Sequence, residues 1–357
     1  MNAPRLSQFF LVFFFLLILG ISAFSPLLPS EDFWQDFKSP SDEISLRHVF
    51  RSAMAFPQSF SSYFNEHYRL RDLQVDAFHN FRLRVLGEKE YPNVLIGKED
   101  WLYYTGENNI RDYECISPFT RKELNSLVER LQSWHDQLSL MEIDFFVVIA
   151  PNKETIVPNY LPDSIQAGWS TCRIDQVMKA LTKTNVRALD LREPLLEAAR
   201  DSQVYHRTDT HWNDTGALIA VSEIIKLIQP DGSRIGQPAV DQYIEEERSF
   251  RGDLSRFIPE DARFVEQAVF LTSVDGPKAK ITQGDGRWVL SKNMDHSLPK
   301  AVVFRDSFSD ALIPFLAEYF SNGIYIHSFA VDFDLVEQEQ PDIVILEIAQ
   351  RYLGVLR

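Results

Sequence analysis

Five short apolar runs constrain the fold of this chain more than any other feature. Asp144–Ala150, Val186–Leu191, Ala301–Phe304, Gly323–Ile326 and Ile343–Glu347 read as strands buried on both faces. Helical patterns separate them. One begins at Thr120, where Thr120-Arg121-Lys122-Glu123 forms a capping box, and runs to about Leu138. The alternation predicts an α/β domain built on a doubly wound, mostly parallel five-stranded sheet flanked by helices. Ligands of such sheets gather beyond the carboxyl ends of the strands, so the residues that follow each run are where chemistry is expected.

Two connections carry reactive side chains. Tyr205-His206-Arg207-Thr208-Asp209-Thr210-His211-Trp212-Asn213 lies between a short helix over Pro194–Ala199 and a longer one marked by Leu218, Val221, Ile224, Ile225 and Ile228. In an extended backbone Asp209 and His211 point the same way, so the carboxylate can hold the Nδ1 proton and leave Nε2 as a base. A nucleophile follows in Phe304-Arg305-Asp306-Ser307-Phe308, where Ser307 falls at a strand-to-helix turn beside free backbone N–H groups. Pro314 is expected to kink the following helix. Each residue alone has a plain structural reading: His211 in the core, Asp209 and Ser307 as helix caps. A metal site on His206, Asp209 and His211 is the rival for the set, but no second ligand pair supports it, and we assign no metal.

Asp209-Thr210-His211-Trp212-Asn213 followed by Arg305-Asp306-Ser307-Phe308 resembles the alginate O-acetyltransferase family of AlgJ and AlgX type, a branch of the SGNH-hydrolase-like proteins. Gly97-Lys98-Glu99-Asp100-Trp101-Leu102-Tyr103, Ala150-Pro151-Asn152-Lys153, Tyr160-Leu161-Pro162, Gly252-Asp253-Leu254 and Pro341-Asp342-Ile343-Val344-Ile345-Leu346-Glu347 extend the likeness, which runs from about residue 60 to the C-terminus. Arg305 departs from it, standing where SGNH proteins usually have the glycine of Gly-Asp-Ser. The resemblance implies a serine-dependent O-acetyltransferase acting on an exported polysaccharide through an acetyl-serine, with Ser307, His211 and Asp209 as catalytic triad. From their places in the pattern, Arg305, Asn152, Lys153, Trp212, Asn213 and Tyr205 are the candidates for oxyanion stabilisation or substrate positioning, Asn152 and Lys153 because they follow Asp144–Ala150 at the ligand edge. The resemblance also implies a membrane-bound O-acyltransferase-type partner as acetyl donor, and no cofactor. A carbohydrate acetylesterase with the same triad and a non-catalytic glycan-binding component of an export complex are the alternatives.

Export is legible before the domain begins. Phe9 to Ile21 is a nearly unbroken apolar run after Arg5, extending toward Leu28. An apolar length of about 20 residues suits an inner-membrane anchor, with a cleaved signal as the alternative. Either places the remainder at a periplasmic or other extracytoplasmic face. We divide the chain into an anchor or signal over 1–29, a linker and helical segment over 30–90, and the SGNH-like domain over 91–357. A polar, weakly periodic insertion at about 230–298 interrupts that domain, carrying β-like runs at Ala268–Leu271 and Trp288–Leu290. Cys115 and Cys172 are the only cysteines; outside the cytoplasm they form either a disulfide or two buried thiols. A net charge of −15 argues against nucleic-acid binding. The aromatic cluster Trp101/Tyr103/Tyr104 reads as a packed hairpin or a sugar platform, and Glu347 with Arg351 as an ion pair.

Overall fold

The structure is a computed structural model that describes residues 90–168, 171–229, 242–258, 261–284 and 287–357. Residues Arg82–Arg357 form one compact unit. The apolar run at Phe9–Ile21, the linker and the helices expected before residue 90 lie outside the described residues. Among the described residues no helix is long and apolar enough to cross a membrane.

The described chain opens with a small meander, β1 (Glu90–Tyr91), β2 (Val94–Ile96) and β3 (Leu102–Tyr104). A short helix α1 (Asn109–Tyr113) precedes α2 (Arg121–Leu140). Helix α2 starts where its capping box requires: Thr120 Oγ1 accepts the Glu123 N–H and Glu123 Oε2 accepts the Thr120 N–H. Strand β4 (Asp144–Ala150), α3 (Lys153–Ile156), α4 (Arg173–Leu181), β5 (Arg187–Asp190), α5 (Arg192–Ala198) and α6 (Asp214–Ile228) follow. The insertion supplies an antiparallel hairpin of β6 (Tyr243–Phe250) and β7 (Glu266–Ser273), then β8 (Ala279–Gln283) and β9 (Trp288–Asn293). The chain ends with β10 (Lys300–Arg305), α7 (Ser309–Leu316), β11 (Asn322–His327), α8 (Phe333–Glu339) and β12 (Ile343–Ala349).

The central sheet has seven strands in the order β5-β4-β12-β10-β11-β9-β8. The five expected strands are all there and all parallel. The other two correct the expected strand count: β9 pairs antiparallel with β11, and β8 antiparallel with β9. Side chains of β4 alternate between two cores. Phe146, Val148 and Ala150 face the core containing α6 and α7, while Phe145, Val147 and Ile149 face the core containing α2, α4 and α8. Each fully buried Val, Leu or Phe stabilises the fold by about 1.5–3 kcal/mol, so these two-faced strands anchor the sheet. Helix α7 stops two residues after Pro314 and tightens into a single 3₁₀ turn. The two cysteines, left open above, are joined as a disulfide.

Candidate active site

Because β4, β10 and β12 are parallel neighbours, their carboxyl ends place Asn152, Ser307 and Gln350-Arg351 along one edge. The Tyr205–Asn213 connection reaches the same edge as a bend and not with the extended backbone used above to align Asp209 and His211. His206 N–H donates to the His211 carbonyl (3.3 Å), Asn213 N–H donates to the Val204 carbonyl (3.1 Å), and Tyr205 bridges to Trp212. The bend aims the dyad differently from a strand. Asp209 Oδ1 accepts both the His211 backbone N–H (3.0 Å) and the Nδ1–H of the same residue (2.7 Å). A carboxylate at Nδ1 fixes the proton there, which leaves Nε2 as acceptor, 2.8 Å from Ser307 Oγ. The structure thus brings Asp209, His211 and Ser307 into one continuous hydrogen-bonded line.

Two sets of contacts hold that line. On the acid side, Glu266 at the start of β7 grips the bend: Oε1 accepts the Thr208 N–H and hydroxyl, and Oε2 accepts the Arg207 N–H. Thr208 Oγ1 accepts the Gly252 N–H (2.9 Å), and the Asp253 N–H donates to Asp209 Oδ2 (2.8 Å). The loop at the hairpin tip therefore closes on the carboxylate. Gly252 is required there, since a Cβ would stand 2.4 Å from the Thr208 carbonyl. On the nucleophile side, the two Asp306 oxygens accept the Phe308 and Ala349 N–H groups (2.8 and 2.7 Å), tying the turn to the end of β12. Glu347 Oε2 accepts the Asp306 N–H and the Ser309 hydroxyl. Trp212 joins the two sides, donating its indole N–H to the Phe308 carbonyl (3.1 Å). The Phe308 ring lies edge-on to His211 at 4.8 Å.

Electrostatics sort the acids. Burial works against the Asp209 carboxylate, but the His211 hydrogen bond and the Asp253 and His211 amides outweigh it and hold Asp209 well below the usual range. Burial and then the Asp209 charge push Asp253 up, and burial lowers His206. Burial followed by the Asp306 charge raises Glu347 far above an ordinary carboxyl. Lys153, pulled down to about 7 by burial, sits over the Trp101 and Tyr103 rings.

The remaining expected site residues are placed as follows. Lys153 is not directed at a ligand: its ammonium donates to the carbonyls of Leu102, Arg207 and Asp209 (2.7, 3.0 and 3.0 Å) and so carries the bend. Arg305 also turns inward, pairing with Asp310 (2.6 Å) and donating to the Asp306 carbonyl. Tyr205 donates its hydroxyl to the Pro151 carbonyl, and Asn213 caps α6 by accepting the Gly216 N–H. Asn152 accepts the Arg351 N–H, while its own Nδ2 is buried without a protein partner. The Trp101 ring stacks on Tyr160 at 4.5 Å, as in a packed hairpin. Arg351 does not pair with Glu347; its guanidinium lies over Tyr104, Phe308 and Tyr352 at 5.0–5.4 Å, with Nε unpartnered. His206 faces Phe250 and Phe270, away from the metal set considered above. Asp209, His211 and Asp253 do bring ligand atoms within 4.8 Å of one another, but Asp209 and His211 already have every such atom in a hydrogen bond.

Residues 94–319 match the family described as SGNH hydrolase-like domain, acetyltransferase AlgX. The chain belongs to this family. Among curated relatives it is 30% identical over 175 residues to the probable alginate O-acetylase AlgJ of Pseudomonas syringae pv. tomato, covering 48% of this chain and 43% of that one. It is 25% identical over 290 residues to the AlgJ relative of Pseudomonas putida, covering 73% and 70%. The chain thus spans about half the length of the first relatives it matches, 43% and 52%. Family membership is matched by the fold. Bacillus cereus PatB1 superposes with a TM-score of 0.58 at 16% identity over 73% of this chain and 96% of that one. The O-acetyltransferase domain of Pseudomonas putida AlgJ gives 0.52 at 20%, over 74% and 93%. The fold is SGNH hydrolase-like.

Proposed function

We propose that the protein is a serine-dependent O-acetyltransferase that modifies an exported polysaccharide. The observation that carries this reading is the unbroken line from Asp209 through His211 to Ser307, with contacts of 2.7 and 2.8 Å. A serine hydroxyl is a weak nucleophile until a base takes its proton. In the first half-reaction His211 Nε2 takes the Ser307 proton as Oγ attacks the acetyl carbonyl. The leaving group departs with that proton, and acetyl-Ser307 remains. In the second, a sugar hydroxyl gives its proton to Nε2 and attacks the acetyl carbon, which restores Ser307. Asp209 holds the tautomer and balances the imidazolium in both. The Ser307 N–H and the unpartnered Asn152 Nδ2 are the donors for the tetrahedral oxyanion. The Phe308 N–H is already taken by Asp306.

The names of the AlgJ relatives support an alginate-like acceptor. The partly unsatisfied Arg351 guanidinium beside Phe308 favours an acidic one. A membrane-bound O-acyltransferase-type donor and an anchored, extracytoplasmic location complete the proposal. Incubation with an activated acetyl ester is expected to add one acetyl group to Ser307, detected by mass spectrometry, and added glycan to discharge it. Release of acetate to water with no glycan acceptance assigns an esterase instead. Absence of the adduct in the wild type overturns the serine mechanism. Asn152→Ala is expected to lower the acylation rate by about 10²–10³-fold with the adduct still on Ser307.

A further inference from the structure

Asp253 stands on the loop at the tip of the β6–β7 hairpin, yet it meets both members of the dyad and the residue between them. Its N–H donates to Asp209 Oδ2 (2.8 Å), its Oδ1 accepts the Thr210 N–H (2.8 Å), and its Oδ2 stands 3.8 Å from His211 Nδ1. Among the described residues only Asp209 and Asp253 bring a carboxylate oxygen within 4.0 Å of that imidazole. We propose that Asp253 is a positioning residue of the acetyl transfer: its backbone N–H locks the rotation of Asp209, and its carboxylate, the second beside the ring, stabilises the imidazolium formed when Ser307 gives up its proton. The proposal rests on the function just given for its chemistry and adds a residue to it.

The geometry separates two effects. Asp209 Oδ1 alone serves the ring and amide of His211, so the Asp253 amide on Oδ2 is what keeps the carboxylate from turning. The Asp253 side chain acts through space instead. A carboxylate at this distance favours the charged imidazole over the neutral one, though its partial exposure of 38% weakens the field. The other charged groups packed against the dyad are Lys153 beneath the bend, His206 within it and Glu266 beyond it. Lys153 and a protonated His206 oppose the imidazolium, and Glu266 is committed to the Arg207 and Thr208 amides, so Asp253 is the group placed to offset them.

The test compares the full chain with its Asp253→Asn, Asp253→Glu and Asp253→Ala variants. It follows the His211 titration by nitrogen NMR and the pH profile of Ser307 acetylation by 4-nitrophenyl acetate. Asn keeps an acceptor for Thr210 and removes only charge. Asp253→Asn is expected to lower the imidazole pKa by about 0.5–1 unit, with the acylation profile moving alongside and KM for the ester unchanged. Asp253→Glu retains the wild-type titration. Asp253→Ala also loses the Thr210 acceptor and slows acylation about tenfold or more at every pH. An unmoved His211 titration in a folded Asp253→Asn variant overturns the proposal. An equal shift in Asp253→Glu overturns it as well, because packing and not charge would then be responsible. If wild-type Ser307 is never acetylated the transferase reading falls, while the NMR titration still decides the role of Asp253.

Discussion

Lys153 shows how much one buried side chain does here. Its three N–H donors meet carbonyls from β3 and from two points of the bend, so Lys153→Met leaves buried acceptors empty. The expected loss is about 2–4 kcal/mol of stability, read from the urea midpoint, with a fall in acylation because the Asp209 backbone is released. Its neighbour Glu154 gives a pH-dependent prediction. Burial raises Glu154 from 4.5 to about 7, and raises Asp112 from 3.8 to about 6. The folded protein therefore binds more protons than the unfolded chain across that window, and stability from these groups is full below the unfolded values and is lost as pH rises through the folded ones. Glu154→Gln is expected to match the wild type in Tm near pH 4 and to exceed it at pH 8. The positions of Asp209, His211 and Ser307 were legible as residue types at telling places in the pattern. The destination of Lys153 was not, because a flexible four-carbon stem reaches carbonyls that only the assembled fold brings together.

At the level of elements, hydrophobic continuity made the five parallel strands readable, since a strand buried on both faces has little freedom in composition. Strand β8 escaped, and β9, foreshadowed by the β-like run at Trp288–Leu290, reads from the sequence as part of the insertion and not of the central sheet. Lys280 and Lys292 lie directly opposite each other on the exposed face, and the apolar alternation there is broken. The connection at 205–213 was readable as a loop that pairs Asp209 with His211, but its bent course was not, because Asp209 caps its own turn, a local competition that periodicity does not register. Two element contacts can be tested. Trp212→Phe keeps the ring packing but strips the Phe308 carbonyl of its donor. It is expected to cost about 1–2 kcal/mol of stability and to slow acylation, because the bend and the nucleophile turn lose their direct link. Gly252→Ala pushes a methyl into the Thr208 backbone. It is expected to lower acylation more than Asp253→Asn, since it displaces the whole loop and not one charge.

For the molecule as a whole, the Cys115–Cys172 bridge closes a loop over a separation of 57 residues that contains β4, Asn152 and Lys153. Its removal by Cys115→Ser with Cys172→Ser is expected to cost about 2–4 kcal/mol, seen as a lower urea midpoint than the oxidised wild type. The sequence left this pairing open because two cysteines fix no geometry by themselves.

The hairpin tip that carries Gly252 and Asp253 belongs to neither the sheet nor the turn that bears Ser307, although the imidazole depends on all three. The alignment of acid, imidazole and hydroxyl is therefore a property of the assembled tertiary structure. A peptide spanning any one of these segments carries its side chains without their geometry.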